Sequence, residues 1–192
     1  RAYIVLESSQ DNALYSPRRI MSADDKAGYV SFLEERITNG DSHNAILFNG
    51  NREGIADEIP RLMRLSHDQS LKTAIILKPT WPSNLLRNII EAEPDFLFGN
   101  YYEFKLLCRH LGLDCDLPER VTEESLETIM HCSQAVASRT NGVVCVTLGA
   151  KGALLATADA QYYGYYSKKL DVKSDVGCGD SFSAYVLAKV LE

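Results

Sequence analysis

The sequence predicts an α/β fold with a mainly parallel central sheet flanked by helices on both faces. Two observations point there. Short apolar runs of strand length alternate with longer stretches whose apolar residues recur at helical spacing across the 192 residues, which is the signature of repeated strand–helix–strand units with right-handed crossovers. The polar and glycine positions Asn49-Gly50, Lys78, Asn100, 147–152 and 177–180 all fall at or just past strand ends, where sheets of this kind bind their ligands.

Taken in order, residues 2–6 read as a strand. Ser22, with Asp25 three positions on, opens an amphipathic helix through Ile37. Residues 45–48 are a strand, and 55–65 a helix interrupted or restarted at Pro60, since proline has no N–H to give to a helix interior. Residues 73–77 are a strand, Ser83 caps a helix through Ile90, and 96–98 are a short strand. Asn100 begins the next helix, which stops near Gly112. Thr122 begins another, through about Arg139, with Asn141-Gly142 as its stop. Residues 143–148, 153–156 and 162–166 are strands, the last a half-exposed tyrosine strand rather than a base-stacking platform. A final helix follows Gly179, carried by Phe182, Val186 and Leu191. The polar run 7–21, with Pro17, reads as a surface loop.

Composition sets outer bounds. With 45% apolar residues the chain can bury a sizeable core, and 1–192 is expected to be a single domain or most of one. A net charge of −6 with 20 scattered basic residues argues against a nucleic-acid partner. No apolar run approaches the roughly 20 residues needed to span a bilayer, and the start does not resemble a signal peptide, so the expectation is a cytoplasmic protein with no membrane partner. Cys108, Cys115, Cys132, Cys145 and Cys178 show no Cys-x-x-Cys spacing, which predicts reduced thiols rather than a disulfide framework or zinc site. His43, His67, His110 and His131 are isolated and are expected at the surface or at helix ends.

The chemistry concentrates in 175–183, where Gly177-Cys178-Gly179 precedes Asp180 and an apolar helix. The first N–H groups of a helix lack internal partners, and glycines that adopt positive φ let several of them converge on one oxyanion at the positive end of the helix dipole. A carboxylate repels such an anion, so Asp180 suggests work: accepting the proton of an attacking hydroxyl while the N–H groups stabilise the phosphoryl group. On spacing alone, a plain turn with Asp180 answering the helix dipole explains the stretch equally well. Asn100-x-x-Glu103 is, by itself, better read as a helix capping box. Residues 147–152 alone fit a plain hairpin turn as well as a ligand-binding one, and Lys78 is either a substrate or phosphate contact or, the commoner case for a strand-end lysine, a side chain reaching to solvent.

Gly177-Cys178-Gly179-Asp180-Ser181-Phe182 resembles the Gly-Ala/Cys-Gly-Asp-x-Phe signature of the ribokinase-like sugar kinases, the phosphofructokinase-B family. Asn100-Tyr101-Tyr102-Glu103 is similar to that family's Asn-x-x-Glu motif. Thr147-Leu148-Gly149-Ala150-Lys151-Gly152 resembles its Thr-x-Gly-x-x-Gly element, and Asn49-Gly50 stands where it has a glycine loop. These occur in the family's order, and the resemblance runs from about Arg1 to the last residue. It implies a ribokinase-like fold and ATP-dependent phosphoryl transfer to a hydroxyl of a sugar or sugar-like small molecule. Asp180 would be the base, with Gly177, Cys178 and Gly179 holding phosphoryl oxygens. Asn100 and Glu103 would organise magnesium (Mg2+), often through water, and Asn100, Thr147, Gly149 and Gly152 would serve the nucleotide.

Departures accompany the matches. The family's N-terminal sugar-binding and lid part has no counterpart before Arg1, nor do its final helices after Glu192. Ser174 and Lys78 replace acidic residues common in the family, and Tyr185 replaces a small one. An incomplete record of a longer enzyme is the expectation, and a non-catalytic homologue serving as a binding or scaffold protein is the alternative. A third reading is an unrelated α/β phosphate-binding enzyme that shares the helix-terminus nest. The acceptor's identity and the oligomeric state stay open; the family's lid often mediates pairing, which leaves a homodimer as an expectation.

Overall fold

The computed structural model describes residues 3–5, 22–39, 44–49, 55–113, 116–160, 162–165 and 178–191. The loop read at 7–21, and His43, Gly50, Cys115, Ser174 and Gly177, lie outside the described residues.

The elements follow the local chemistry. After β1 (Tyr3–Val5), α1 (Ala23–Asn39) starts where the Ser22 hydroxyl accepts from the Asp25 N–H at 3.1 Å. β2 is Ala45–Asn49; a single 3-10 turn, Ala56–Glu58, then leads into α2 (Ile59–Asp68), which tolerates Pro60 because it sits in the first turn. β3 (Lys72–Ile76), α3 (Ser83–Glu91), β4 (Phe96–Asn100), α4 (Tyr101–His110) and α5 (Ser125–Thr140) come next. Asn141, at φ 50°, ends α5 in the left-handed conformation that asparagine tolerates. The following Gly142 is obligatory, because a Cβ there would stand 2.2 Å from the Pro94 carbonyl oxygen. β5 (Val143–Thr147), a 3-10 turn (Gly149–Lys151), β6 (Ala153–Ala156), β7 (Tyr162–Tyr165) and α6 (Cys178–Leu191) complete the chain.

Several helix starts differ from expectation, and α6 already begins at Cys178 rather than after Gly179. Ser83 is the first residue of α3 rather than its cap, Pro82 holds the cap position, and the Ser83 hydroxyl hydrogen-bonds His110 Nδ1 at 2.8 Å. α5 begins at Ser125, because the Thr122 hydroxyl accepts from the Ser125 N–H and closes a turn ahead of the helix. The histidines are less isolated than their spacing suggests. His67 Nε2 lies 2.9 Å from Thr73 Oγ1 and 3.1 Å from Asp95 Oδ2, tying the end of α2 to the starts of β3 and β4.

Among the described residues, seven strands form one sheet in sequential order. β2 to β5 are parallel, while β1, β6 and β7 pair antiparallel. Strand side chains alternate between faces, and both faces are apolar. Ile46, Phe48, Ile75, Leu77, Leu97, Val144 and Val146 pack under α1 to α5. Leu47, Ala74, Ile76, Phe96, Phe98 and Cys145 pack on the other side with Leu187 and, half-buried, Phe182 and Val186 of α6. Helices therefore cover both faces, but unevenly. Fully buried side chains such as Leu62, Ile75, Leu97 and Leu107 each contribute about 1.5–3 kcal/mol.

Cys132 is disulfide-bonded, which corrects the expectation of uniformly reduced thiols. Cysteine spacing along the chain could not show a pair brought together only by folding. Burial pushes the Cys108 and Cys145 thiols up to about 12, so both are inert core residues.

Candidate active site

The carboxyl edge of the parallel strands and the first turn of α6 enclose a cleft of about 110 Å3 lined by Ile76, Lys78, Gly99, Asn100, Glu103, Thr147, Gly179, Asp180 and Ser183. Sheet register builds its base. Asn100 of β4 pairs with Thr147 of β5, and Ile76 of β3 pairs with Phe98, so the strand ends stand side by side. Leu187 and Phe182 anchor α6 over β3 and β4, and this sets the helix N-terminus above those ends.

Asn100 and Glu103 form a complete capping box. The Asn100 side chain accepts from the Glu103 N–H at 2.9 Å, and Glu103 Oε2 accepts from the Asn100 N–H at 2.8 Å. Glu103 nevertheless faces the cleft. Burial raises its carboxyl above the ordinary range and the Asp180 charge adds to this, against the opposing Asn100 N–H and the Lys78 ammonium.

Asp180 occupies the third position of α6, where backbone N–H groups are still unpaired within the helix. Its carboxylate lies 3.9 Å from Lys78 Nζ, with the lysine side chain 16% exposed and Asp180 41%. One turn on, the buried Ser183 hydroxyl donates to the Gly179 carbonyl at 2.8 Å and holds the turn closed.

Of the residues singled out in the sequence, Asn100, Glu103, Thr147, Gly179 and Asp180 meet in this cleft. Cys178, Gly149 and Gly152 are not among its lining residues. Gly149 (φ 61°) and Gly152 (φ 94°) shape the hairpin turn that follows Thr147. Gly179 does not have the positive φ expected of it; it is helical, and a Cβ there would meet nothing within 4 Å. The missing side chain leaves space open beside the cleft that Gly179 lines. Lys78, read as a solvent-reaching lysine, is turned inward. Ile76, Gly99 and Ser183 also line the cleft, beyond the residues that the sequence motifs point to. Ser183 follows Asp180 by three positions and so shares its helix face, a signal the sequence did carry.

Residues 52–192 match the family profile described as pfkB family carbohydrate kinase. No curated protein matches the sequence. Solved structures match the fold. The tetrameric inhibited form of phosphofructokinase-2 from Escherichia coli superposes with a TM-score of 0.69 at 17% identity, over 92% of this chain and 53% of that one. Hydroxyethylthiazole kinase from Pyrococcus horikoshii OT3 gives 0.61 at 17% identity, over 80% and 56%. Ribokinase from Cryptococcus neoformans var. grubii serotype A, in complex with ADP, gives 0.60 at 20% identity, over 70% and 45%. The chain thus spans about half the length of these structures.

Proposed function

The chain belongs to the pfkB family of carbohydrate kinases, and from that premise we propose that it carries the phosphoryl-transfer site of an ATP-dependent phosphotransferase acting on a hydroxyl of a sugar or sugar-like compound. The observation that supports this most directly is the meeting of Asp180, the α6 N-terminus, the Asn100–Glu103 box and Thr147 in one cleft. These residues come from separate elements, and a set of unrelated turns and caps has no reason to converge.

In this reading Asp180 accepts the proton of the acceptor hydroxyl. The hydroxyl oxygen forms a bond to the γ-phosphorus as the bond to the bridging oxygen breaks, and ADP departs. The N–H groups of Gly177, Cys178 and Gly179 hold the phosphoryl oxygens at the helix N-terminus, so that positioning and charge stabilisation supply most of the acceleration. Thr147 borders the phosphate end of the donor, and Gly149 and Gly152, on the turn beyond it, are assigned to the nucleotide.

The cleft suits magnesium held largely through water. Glu103 keeps Oε1 free of hydrogen bonds among the described residues, and no cluster of three or more His, Cys, Asp or Glu side chains forms a direct cage among them. Mg2+ retains several waters and takes one or two carboxylates together with substrate phosphates. When bound, the ion neutralises charge on the donor's phosphates; Asn100 and Glu103 are the residues that would orient it.

Turnover of ATP by the full-length protein against a panel of sugars, phosphosugars and nucleosides tests the proposal. Acceptor-dependent ADP release supports it, and its absence with every acceptor, with ATP bound, favours the non-catalytic homologue.

A further inference from the structure

Lys78 follows β3 at the carboxyl edge of the sheet, between Glu103 of α4 and Asp180 of α6, and lines the cleft with both. Its side chain is only 16% exposed, and among the described residues its ionic partner, Asp180 Oδ1, is 3.9 Å away. That distance is an ion pair but not a hydrogen bond. An ammonium has three N–H donors, and among the described residues no hydrogen bond from Nζ accompanies the ion pair. A charged donor withdrawn this far from water is costly unless something accepts from it. The cleft also brings two carboxylates to the place where a phosphate donor must enter, and each repels that donor. Among the described residues, Lys78 is the cation that lines the cleft with both.

We propose that Lys78 is a phosphoryl-holding residue of this chain: its ammonium balances Asp180 and Glu103 in the free cleft and turns its donors onto the transferring phosphoryl oxygens when the phosphate donor enters. This rests on the kinase reading above. It also gives a role to one of the positions where the sequence departs from its family resemblance, a lysine in place of a common acidic residue.

The test uses the full-length protein with Lys78→Met, which removes the charge at similar length, and Lys78→Arg, which keeps it, each checked for an unchanged melting temperature. Inorganic tripolyphosphate serves as the binding probe, independent of turnover. Expected for Lys78→Met are a fall in kcat on the order of 10²-fold, as for loss of one transition-state donor, little change in acceptor KM, and tripolyphosphate affinity weakened about tenfold, with Lys78→Arg restoring part of each. Turnover and tripolyphosphate affinity both within threefold of wild type overturn the proposal. So does lost turnover with unchanged tripolyphosphate affinity and no rescue by arginine, which makes Lys78 a structural partner of Asp180 only. If the wild-type chain transfers phosphate to no acceptor, the kinase reading falls by itself. The tripolyphosphate comparison then decides Lys78 alone, weaker binding by Lys78→Met supporting it and equal binding overturning it. Should Lys78→Met not fold, Lys78→Gln carries the same comparison.

Discussion

Asn100 and Glu103 close on each other through two hydrogen bonds, each side chain accepting from the other's backbone N–H at 2.9 and 2.8 Å, and they do so at the wall of the cleft. The capping box and the metal-organising role proposed for Glu103 are therefore compatible, because the cap uses Oε2 and leaves Oε1.

Glu103→Gln separates those roles. Glutamine also completes a capping box, so the melting temperature should stay close to wild type while the magnesium concentration for half-maximal activity rises. Glu103→Ala should raise the metal requirement and also lose about 0.5–2 kcal/mol of stability, the scale of a lost cap. A magnesium titration beside a denaturant melt reads both, and an unchanged requirement in Glu103→Gln would remove Glu103 from the metal shell.

Asp180→Asn keeps the shape of the side chain and removes proton acceptance. Turnover should fall by roughly 10²–10⁴-fold, the usual contribution of a general base, with nucleotide affinity little changed. Steady-state kinetics with the best acceptor checks this; near-normal kcat would assign the base elsewhere.

Gly179→Ala exploits the open space around that residue. Because Gly179 is helical and unobstructed, the alanine should fold and add up to about 1 kcal/mol of helix stability. The same methyl group would stand at the cleft wall where the proposal puts the phosphate, so ATP and sulfate binding should both weaken, and more so in Gly179→Val. Cys178→Ala, at a residue that does not line the cleft, should leave turnover unchanged. The reverse pattern, a critical Cys178 and an indifferent Gly179, would mark a thiol site instead.

Asp95 predicts an acid limit to stability. Burial pushes its carboxyl up, but the Lys72 hydrogen bond at 2.6 Å, the Thr73 N–H, the Lys72 charge and His67 together outweigh that and hold it below the usual range. A carboxyl lowered in the folded state contributes stability that is present above the unfolded pKa of about 3.9 and is lost as pH falls through the folded value. Asp95→Asn should therefore lower stability at neutral pH and flatten the loss between about pH 4 and the folded pKa. Chemical melts of both proteins across that range test it; parallel curves would show that Asp95 is not the group responsible.

The elements were legible in the sequence because their signals are local. A cap and its partner three residues apart in Asn100–Glu103, a proline confined to a first turn at Pro60, and a left-handed stop at Asn141 each depend on neighbours within one turn of chain. The mainly parallel sheet followed from the alternation of short apolar runs with helices, and the position of the site from the rule that such sheets bind ligands at strand carboxyl ends. Asn100, Thr147, Gly179 and Asp180 stand at such ends and Glu103 is added by the family resemblance; these five meet in the cleft, whereas Cys178, Gly149 and Gly152 do not line it.

What folding alone decided are the contacts between distant segments. A lysine after an apolar strand gives the same local pattern whether it reaches to solvent or turns inward; Lys78 turns inward because α4 and α6 bring Glu103 and Asp180 to either side of it. Ser83 carries a cap's sequence, yet its hydroxyl is taken by His110, 27 residues away. His67 and Asp95 are joined across 28 residues, and the disulfide at Cys132 is equally invisible in cysteine spacing. The uneven cover of the sheet has the same origin. Sequential strand order with crossovers of a single hand puts the connecting helices on one face, and leaves α6 to lie across the other with its N-terminus over the strand ends.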